Sequence, residues 1–588
     1  MPVANLAIAA ALEEIADRLE IQDANPFRVR AYRNAARTVQ SLGRDVQAMA
    51  ARGETLEGTP GIGADLAQKI AEIATRGSCP MLDRLRGEMP AAITELLQVP
   101  GLGPRRVRAL WHELDVETPE QVLRAARDGR IRGLHGFGEK TERSIESALA
   151  AHLGKERRLA LAVAAEYAES LVRHLEGVRG LDHLVVAGSF RRMRETVGDL
   201  DVLATGASGA AVVERFVNHP EVAEVLSRGT TRAGVRLRGG LQVDLRVVPS
   251  ESFGAALAYF TGSKAHNIAL RRLAQERGLK INEYGVFRGG KRIAGDTEES
   301  VYRAVGLPWI PPELREDRGE LDAARAGTLP RLIELGDLRG DLHVHTDATD
   351  GRDSLEAMAV AAQAQGLAYI AITEHSRRQA MAHGLDPARL AQQGTAIDRL
   401  NARGPGFRVL KGIEVDILED GSLDLPDSAL AGLDVVVAAV HSQFGLARAR
   451  QTERILRALD NANVRVLAHP TGRLIGEREP YDVDMPAIVR KARERRVAIE
   501  LNAHPKRLDL IDTHCRLCKD AGVPVAVDSD AHGASDFAFL RYGIGQARRG
   551  WLNRDDVLNT RTLPALRAFL ERPAATSPGN RTSGKRRA

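Results

Sequence analysis

Between residues 340 and 532, one apolar run after another ends in a side chain that can ligate a metal. The runs are Gly-Asp-Leu-His-Val-His (340–345), Tyr-Ile-Ala-Ile-Thr-Glu-His (369–375), Val-Leu-Lys-Gly-Ile-Glu (409–414), Val-Val-Val-Ala-Ala-Val-His (435–441), Val-Arg-Val-Leu-Ala-His (464–469) and Val-Pro-Val-Ala-Val-Asp-Ser-Asp-Ala-His (523–532). With Asp350 they present nine candidate ligands: His343, His345, Asp350, His375, Glu414, His441, His469, Asp530 and His532. A strand points residues two apart to the same side, so His343/His345 and Asp530/His532 each aim a pair of donors together. Strands that alternate with helical stretches and end in such residues predict a β/α barrel with its site at the C-terminal rim.

A chain of 588 residues exceeds one hydrophobic core, so three or more domains are expected. No run of about 18 uncharged apolar residues suggests a membrane span. The N-terminal apolar stretch lacks a basic leader and meets Glu13 and Glu14 at once, which argues against a signal peptide. Three cysteines exclude a disulfide scaffold and suit a reducing compartment; the lone Cys515/Cys518 pair reads as helix packing. The net charge of +5 is too small at this length to argue for nucleic acid by itself.

Residues 1–150 read as helices punctuated by three alike turns: Thr59-Pro60-Gly61-Ile62-Gly63, Val99-Pro100-Gly101-Leu102-Gly103 and Leu134-His135-Gly136-Phe137-Gly138. A Gly-x-Gly turn opening a helix exposes successive backbone N–H groups, a seat for a phosphate oxygen that carries no base preference. Gly61, Gly63, Gly101, Gly103, Gly136 and Gly138 are therefore the candidate DNA-backbone contacts. Strand-like runs follow at 184–187, 201–204 and 241–248, with a helical stretch at 212–217. Asp199 and Asp201 lie two apart, and Asp244 stands in Val-Asp-Leu-Arg-Val (243–247), where alternation separates it from its apolar neighbours. Three carboxylates converging from neighbouring strands repel unless cations lie between them, and hard oxygen donors select Mg²⁺ or Mn²⁺. Gly188, Ser189 and Arg192, just before them, offer backbone, hydroxyl and guanidinium donors to phosphates.

Here the pattern becomes specific. Gly188 to Asp201 with ten residues from Ser189 to Asp199, Val243 to Pro249, Tyr-Phe-Thr-Gly-Ser (259–263) and Ile-Asn-Glu-Tyr (281–284) resemble the family X DNA polymerases with a polymerase-beta-like core. The nine ligand positions resemble those of the PHP (polymerase and histidinol phosphatase) domain. Both together, over nearly the whole chain, resemble the bacterial type of family X polymerase. The fold class this implies is multidomain α+β and α/β: a helical helix-hairpin-helix region, a nucleotidyltransferase-type palm, and a distorted (β/α)7 barrel. The expected division is 1–80 for a helix-hairpin-helix domain binding the 5′-phosphate of a gap, 81–155 for a second DNA-binding helix-hairpin-helix subdomain, and 156–250 for the palm. Then come 251–315 for nucleotide selection, 316–338 as a linker, 339–572 for the PHP phosphoesterase barrel, and 573–588 as a disordered basic tail.

The resemblance implies gap-filling DNA synthesis in base-excision-type repair, with 3′→5′ exonuclease, 3′-end or abasic-site processing in the barrel. It implies that Asp199, Asp201 and Asp244 hold two Mg²⁺ or Mn²⁺ ions, with Asp244 promoting deprotonation of the primer 3′-hydroxyl. Ser189 and Arg192 would hold the triphosphate. Tyr259, Phe260 and Gly262 would line the sugar pocket, and Asn267 and Arg271, four apart on a helix, would reach base and template. The barrel would hold up to three Mn²⁺, Zn²⁺ or Fe²⁺ ions, with Glu414 as a bridge, and Arg507 would contact substrate phosphate. Lys69 matches the family's lyase lysine, which would form a Schiff base with a 5′-deoxyribose phosphate. Arg28 and Asp65 stand where relatives carry lysines, so a phosphate-contacting and a nucleophilic Lys69 both stay open. The expected substrates are gapped or primer–template DNA and dNTPs, for a monomeric, cytoplasmic, nucleoid-associated enzyme without a membrane partner. Two rivals are a small-molecule metallophosphatase tethered to DNA and a non-catalytic DNA scaffold; complete residue sets in both halves weigh against them.

Overall fold

The computed structural model describes residues 3–42, 46–59, 61–90, 93–99, 101–154, 158–404 and 406–571; the tail expected at 573–588 lies outside them. The chain divides into two compact units. The first comprises residues 1–159, 163–185 and 198–247, and the second residues 160–162, 186–197 and 248–588. No helix among the described residues is long and apolar enough to cross a membrane.

The first unit opens with helices whose starts are written in local chemistry. The Asn25 side chain accepts from Phe27 N at the head of Pro26–Ser41, and Thr118 and Gln121 close a capping box on Pro119–Arg127. The three turns share one geometry. Gly61, Gly101 and Gly136 have φ of 82°, 91° and 82°, a region side chains avoid. The next N–H then closes back three residues in each: Ile62 on Thr59, Leu102 on Val99, Phe137 on Leu134. Ile62, Leu102 and Phe137 are buried wedges, so each turn is anchored inward by one apolar side chain. Ala64–Arg76 and Pro104–Leu114 begin directly after Gly63 and Gly103, and Glu139–Gly154 after Gly138. Arg18, 1% exposed, pairs with Glu14 at 2.9 Å and donates to the carbonyls of Leu85 and Met89, where the Pro80–Glu88 helix ends.

The rest of this unit carries a five-stranded sheet ordered His183–Val186, Asp199–Thr205, Gln242–Val247, Arg232–Leu237, Val222–Arg228. The second and third strands of this order are parallel, and their register sets Asp201 against Asp244 and Leu200 against Val243. Leu200, Val202, Val243 and Leu245 are buried, as are Val212, Val213 and Phe216 of the Gly209–Val217 helix. Alternation along the strands thus drives the carboxylates to the other face.

In the second unit, helices Phe253–Thr261 and Lys264–Gln275 and a small antiparallel sheet (280–294) surround a charge hub at Glu298. Glu298, 5% exposed, accepts from Arg191 twice at 2.8 Å, from Arg315 at 2.7 and 3.1 Å, and from Trp309 Nε1 at 2.9 Å. Burial alone would raise its carboxyl; the two guanidiniums instead hold it at about 2. The stretch 316–338, read from its charge as a linker, is folded. It forms the Glu320–Ala326 helix, and Glu320 is fully buried against His266 at 2.6 Å. Glu316 and Glu320 are thus partnered inside the protein, while Asp322, Arg325 and Glu334 of the same stretch stay exposed.

The seven barrel strands are parallel and adjacent in chain order: Gly340–Val344, Tyr369–Ile372, Arg408–Asp416, Val435–Ala439, Val466–Leu467, Ala498–Asn502 and Val525–Asp528. His345 N donates to Ala531 O at 2.9 Å, joining the first strand's end to the last. Every residue of these strands except Arg408 and Lys411 is buried. Alternate side chains feed two cores. Tyr369, Ala371, Val435, Val437 and Ala439 join one that includes Leu566 and Phe569, and Ile370, Ile372, Val436 and Ala438 join the other with the helices. This explains why the strands read as unbroken apolar runs.

Replacing Glu298 by Gln leaves Arg191 and Arg315 without their shared charge and should cost about 3 kcal/mol near neutral pH. Its carboxyl is depressed on folding, so its stabilisation is complete above about 4.5 and fades as pH falls towards 2. The gap in thermal midpoint between parent and Glu298→Gln should therefore close over that window; a gap that widens on acidification would contradict the hub.

Candidate metal centre and carboxylate site

Glu414 lies two residues from the end of the longest barrel strand, Arg408–Asp416, and its side chain is 1% exposed. Five imidazoles surround it. Oε1 lies 2.9 Å from His469 Nε2 and 3.1 Å from His441 Nε2; Oε2 lies 2.7 Å from His375 Nδ1, 3.5 Å from His343 Nε2 and 3.7 Å from His345 Nε2. The remaining three carry the set outward. His345 and His343 Nε2 stand 3.3 and 3.7 Å from Asp530 Oδ1, and Asp350 lies 3.4 Å from His375 and 3.5 Å from His532. Three metal-sized groupings overlap through shared members: His345 with Asp350, His375 and His532; His343 with His345 and Asp530; His375 with Glu414 and His441.

The charge state of this cluster is set by burial against neighbours. Burial and the cationic forms of His532 and His375 press His345 down to about 3. Burial and Arg507 do the same to His469. His375 is driven the other way, to about 10, because Glu414 and Asp350 outweigh its desolvation. His343 Nε2, both nitrogens of His345, His375 Nδ1, His469 Nδ1 and Glu414 Oε2 are buried and lack a hydrogen-bond partner among the described residues. Each such atom costs about 1–3 kcal/mol when left unsatisfied. Divalent cations would satisfy them together, and the mix of imidazole and carboxylate fits Mn²⁺, Zn²⁺ or Fe²⁺ better than Mg²⁺.

A ring of acids behind the ligands escaped the sequence reading, which looked only at strand ends. Glu500 Oε1 holds His343 Nδ1 at 2.5 Å, and Asp416 holds His441 Nδ1 while accepting from Gln379 at 2.9 Å. Asp341 bonds the backbone N of His343 at 3.1 Å, Asp528 that of Leu342 at 2.8 Å, and Glu374 that of Thr346 at 3.0 Å. Such contacts fix ring orientation and the donor nitrogen of a histidine ligand. The signal was present: Asp341, Glu374, Asp416 and Asp528 lie one or two residues from a ligand, inside apolar runs where an unpaired acid would be costly. Arg507 Nε stands 3.4 Å from Asp530 Oδ2 at the rim.

In the first unit, Asp201 and Asp244 are half-buried and cross-strand neighbours, and Asp199 is exposed at the head of the same strand. Gln242 donates to Asp244 Oδ2 at 2.9 Å. Gly234 faces Asp244 from the next strand, and a Cβ there would lie 3.0 Å from Asp244 Oδ1, so glycine leaves the carboxylate its room. In the second unit, Gly188 (φ 67°) opens a single helical turn, Gly188–Arg191. The Ser189 hydroxyl behind it is buried with no hydrogen-bond partner among the described residues. Arg192 donates to Thr261 O and, at 3.1 Å, to Glu316 Oε1; a Cβ on Gly262 would come within 3.0 Å of its Nη1. The Tyr259 and Phe260 rings meet edge-on at 5.1 Å. Asn267 donates to Tyr259 O at 2.7 Å and its own carbonyl receives Arg271 Nε at 3.1 Å, so the two share one helix face. Lys69, half-buried on Ala64–Arg76, is ion-paired with Asp65, and Arg28 Nη2 points at Met81 Sδ, 3.6 Å away.

Comparison with known proteins adds four family models: a helix-hairpin-helix domain at residues 3–79, a SAM-like helix-hairpin-helix tandem at 93–151, a DNA polymerase beta thumb at 256–316, and a PHP domain at 341–504. The chain is 38% identical over 565 residues to the DNA polymerase/3′-5′ exonuclease PolX of Bacillus subtilis, covering 95% of this chain and 98% of that one. It is 28% identical over 347 residues to DNA polymerase lambda of Rattus norvegicus, 53% of this chain and 56% of the relative. A probable phosphatase of Caldicellulosiruptor saccharolyticus matches at 32% over 213 residues, 34% of this chain and 83% of the relative.

Asp416→Asn should weaken metal binding about 10- to 100-fold without touching a ligand, because His441 loses the acceptor that holds its Nδ1. Equilibrium dialysis with Mn²⁺ measures it; unchanged affinity would show that Asp416 does not orient the ring.

Proposed function

Because the chain belongs to the family X DNA polymerases that carry a C-terminal PHP domain, we propose that it fills short gaps in DNA during repair and trims 3′ ends at a separate site. The observation that carries this reading is that two separate sets of candidate ligands lie on different sheets. One is Asp199, Asp201 and Asp244 on the five-stranded sheet, and the other is the histidine–carboxylate cluster around Glu414. Its substrates would be gapped or primer–template DNA and dNTPs, and it would act as a cytoplasmic, nucleoid-associated monomer.

At the sheet, two Mg²⁺ or Mn²⁺ ions would offset charge on the attacking and leaving oxygens of an in-line phosphoryl transfer. Asp199, Asp201 and Asp244 would hold them, and Asp244 would promote deprotonation of the primer 3′-hydroxyl. The buried Ser189 hydroxyl, which lacks a hydrogen-bond partner among the described residues, suits a phosphate oxygen, and Arg192 adds a guanidinium. Tyr259, Phe260 and Gly262 wall the sugar, where a 2′-hydroxyl would be excluded. Asn267 and Arg271 present one face to base and template. Gly61, Gly63, Gly101, Gly103, Gly136 and Gly138 offer backbone N–H groups to phosphates on either side of a gap. Lys69, paired with Asp65, belongs to the 5′-phosphate pocket; borohydride trapping would report lyase chemistry there.

At the barrel, up to three Mn²⁺, Zn²⁺ or Fe²⁺ ions would make water acidic enough to attack a phosphodiester and would offset the charge that develops. His343, His345, Asp350, His375, Glu414, His441, His469, Asp530 and His532 would hold them, with Glu414 as a shared carboxylate. Arg507 orients the substrate phosphate.

Two variants separate the sites. Asp201→Ala should lower primer extension by at least about 100-fold and spare Mn²⁺-dependent shortening of the primer. His343→Ala should do the reverse. Loss of both activities in either variant would refute two independent sites.

Affinity for a one-nucleotide gap should fall when its 5′-phosphate is removed, at fixed salt, because backbone contacts are steeply salt-dependent. Equal affinity with and without that phosphate would remove the proposed pocket.

A further inference from the structure

Arg192, the guanidinium assigned to the triphosphate, is bound to the barrel through one shared oxygen. Glu316 Oε1 accepts from Arg192 Nε at 3.1 Å and from Arg549 Nη1 at 2.8 Å. Arg549 lies on the barrel helix Leu540–Arg549; its Nη1 also donates to Arg192 O at 2.9 Å, and its Nη2 pairs with Asp512 at 2.6 Å. The three side chains are 13%, 11% and 2% exposed, so solvent and salt screen this triad weakly. Burial alone would raise the Glu316 carboxyl, but Arg192 and Arg549 hold it below the usual carboxylate range, so it is ionised at neutral pH. The same loop meets the barrel twice more. Arg473, four residues past His469, donates to Glu195 at 2.8 Å. Met193 packs so closely on Gly545 that a Cβ there would lie 3.0 Å from its own Cβ.

We propose that Arg549 is a positioning residue for the polymerase reaction: by sharing Glu316, this barrel arginine sets how strongly Glu316 competes with an incoming triphosphate for Arg192. The proposal rests on the reading of Arg192 as a triphosphate ligand. A carboxylate divided between two guanidiniums neutralises each only in part. Arg194 Nη1 stands 3.9 Å from the other oxygen of Glu316, so without Arg549 the charge at Oε1 falls on Arg192 alone, and a triphosphate must displace it. Without the charge of Glu316, Arg192 meets the triphosphate uncompensated. Loss of the two partners should therefore move nucleotide affinity in opposite directions, whereas a merely structural role would make both variants worse.

The test is steady-state gap filling with the full-length protein, with dNTP binding measured separately on a dideoxy-terminated primer. Arg549→Gln should raise KM and Kd for dNTP about three- to tenfold with kcat little changed, and Arg549→Lys, which keeps the charge, should restore most of the loss. Glu316→Gln should lower Kd for dNTP. In the double variant Arg549→Gln should no longer raise Kd, because the carboxylate it acted through is gone. Mn²⁺-dependent primer shortening by Arg549→Gln should stay at the parent rate, which shows that the barrel is intact. The proposal is overturned if both single variants raise Kd, if neither changes it, or if Arg549→Gln still raises Kd when Glu316 is already Gln. Arg192→Ala separates the two levels of failure: if it leaves Kd unchanged, the triphosphate assignment is wrong and the proposal falls with it. If Arg192→Ala raises Kd while the other variants show none of the signs above, the assignment stands and the link to the barrel is absent.

Discussion

A carboxylate buried among five imidazoles is the arrangement around which the barrel is organised. Glu414 lies within 2.7 to 3.7 Å of nitrogens from His343, His345, His375, His441 and His469, which come from four other barrel strands or their ends. No local segment could present those rings to one oxygen pair. Parallel strands in sequential order can, because their C-terminal ends gather on one rim. Several ligand atoms there have no hydrogen-bond partner among the described residues, and their desolvation is tolerable only if a cation satisfies them or if the surrounding fold is stable enough to carry the cost. Two apolar cores, one on each side of the strands, provide that stability.

The second unit handles charge elsewhere by the same means, placing an acid between guanidiniums. Glu298 between Arg191 and Arg315 ties the loop that begins at Gly188 to the helices that follow it. Glu316 between Arg192 and Arg549 ties that loop to the barrel. The two adjacent arginines of one short motif thus serve different partners. A stretch that composition marks as a charged tether becomes an ordered junction, since Arg315 and Glu320 are both fully buried.

Much of the fold was legible because its signals are local and periodic. Period-two alternation put Asp244 on the opposite side from Val243 and Leu245, and the observed burial follows that division. The Gly-x-Gly turns announced themselves by needing a positive φ that only glycine adopts without strain. Strand-end histidines were visible because imidazoles and acids are unusual at the close of apolar runs. The acids that orient them were not singled out: Asp416 and Glu500 look like ordinary interruptions until the neighbouring strand brings His441 to Asp416 and the curl of the barrel brings His343 to Glu500. Their role depends on strand register, and register is a property of pairs.

What the sequence determined by itself was therefore a set of donor types at definite spacings, three repeated turns, and the face on which each strand residue would lie. Only the tertiary structure decided which carboxylate stands at the centre of the cluster, which acids hold the rings, and that Arg192 and Arg549 share Glu316 across more than two hundred residues of chain. The reason is physical. Spacing along a strand or helix is fixed by backbone geometry, whereas the meeting of two side chains remote in sequence depends on how whole elements pack. Packing is settled by the summed burial of many apolar groups, none of which names its partner.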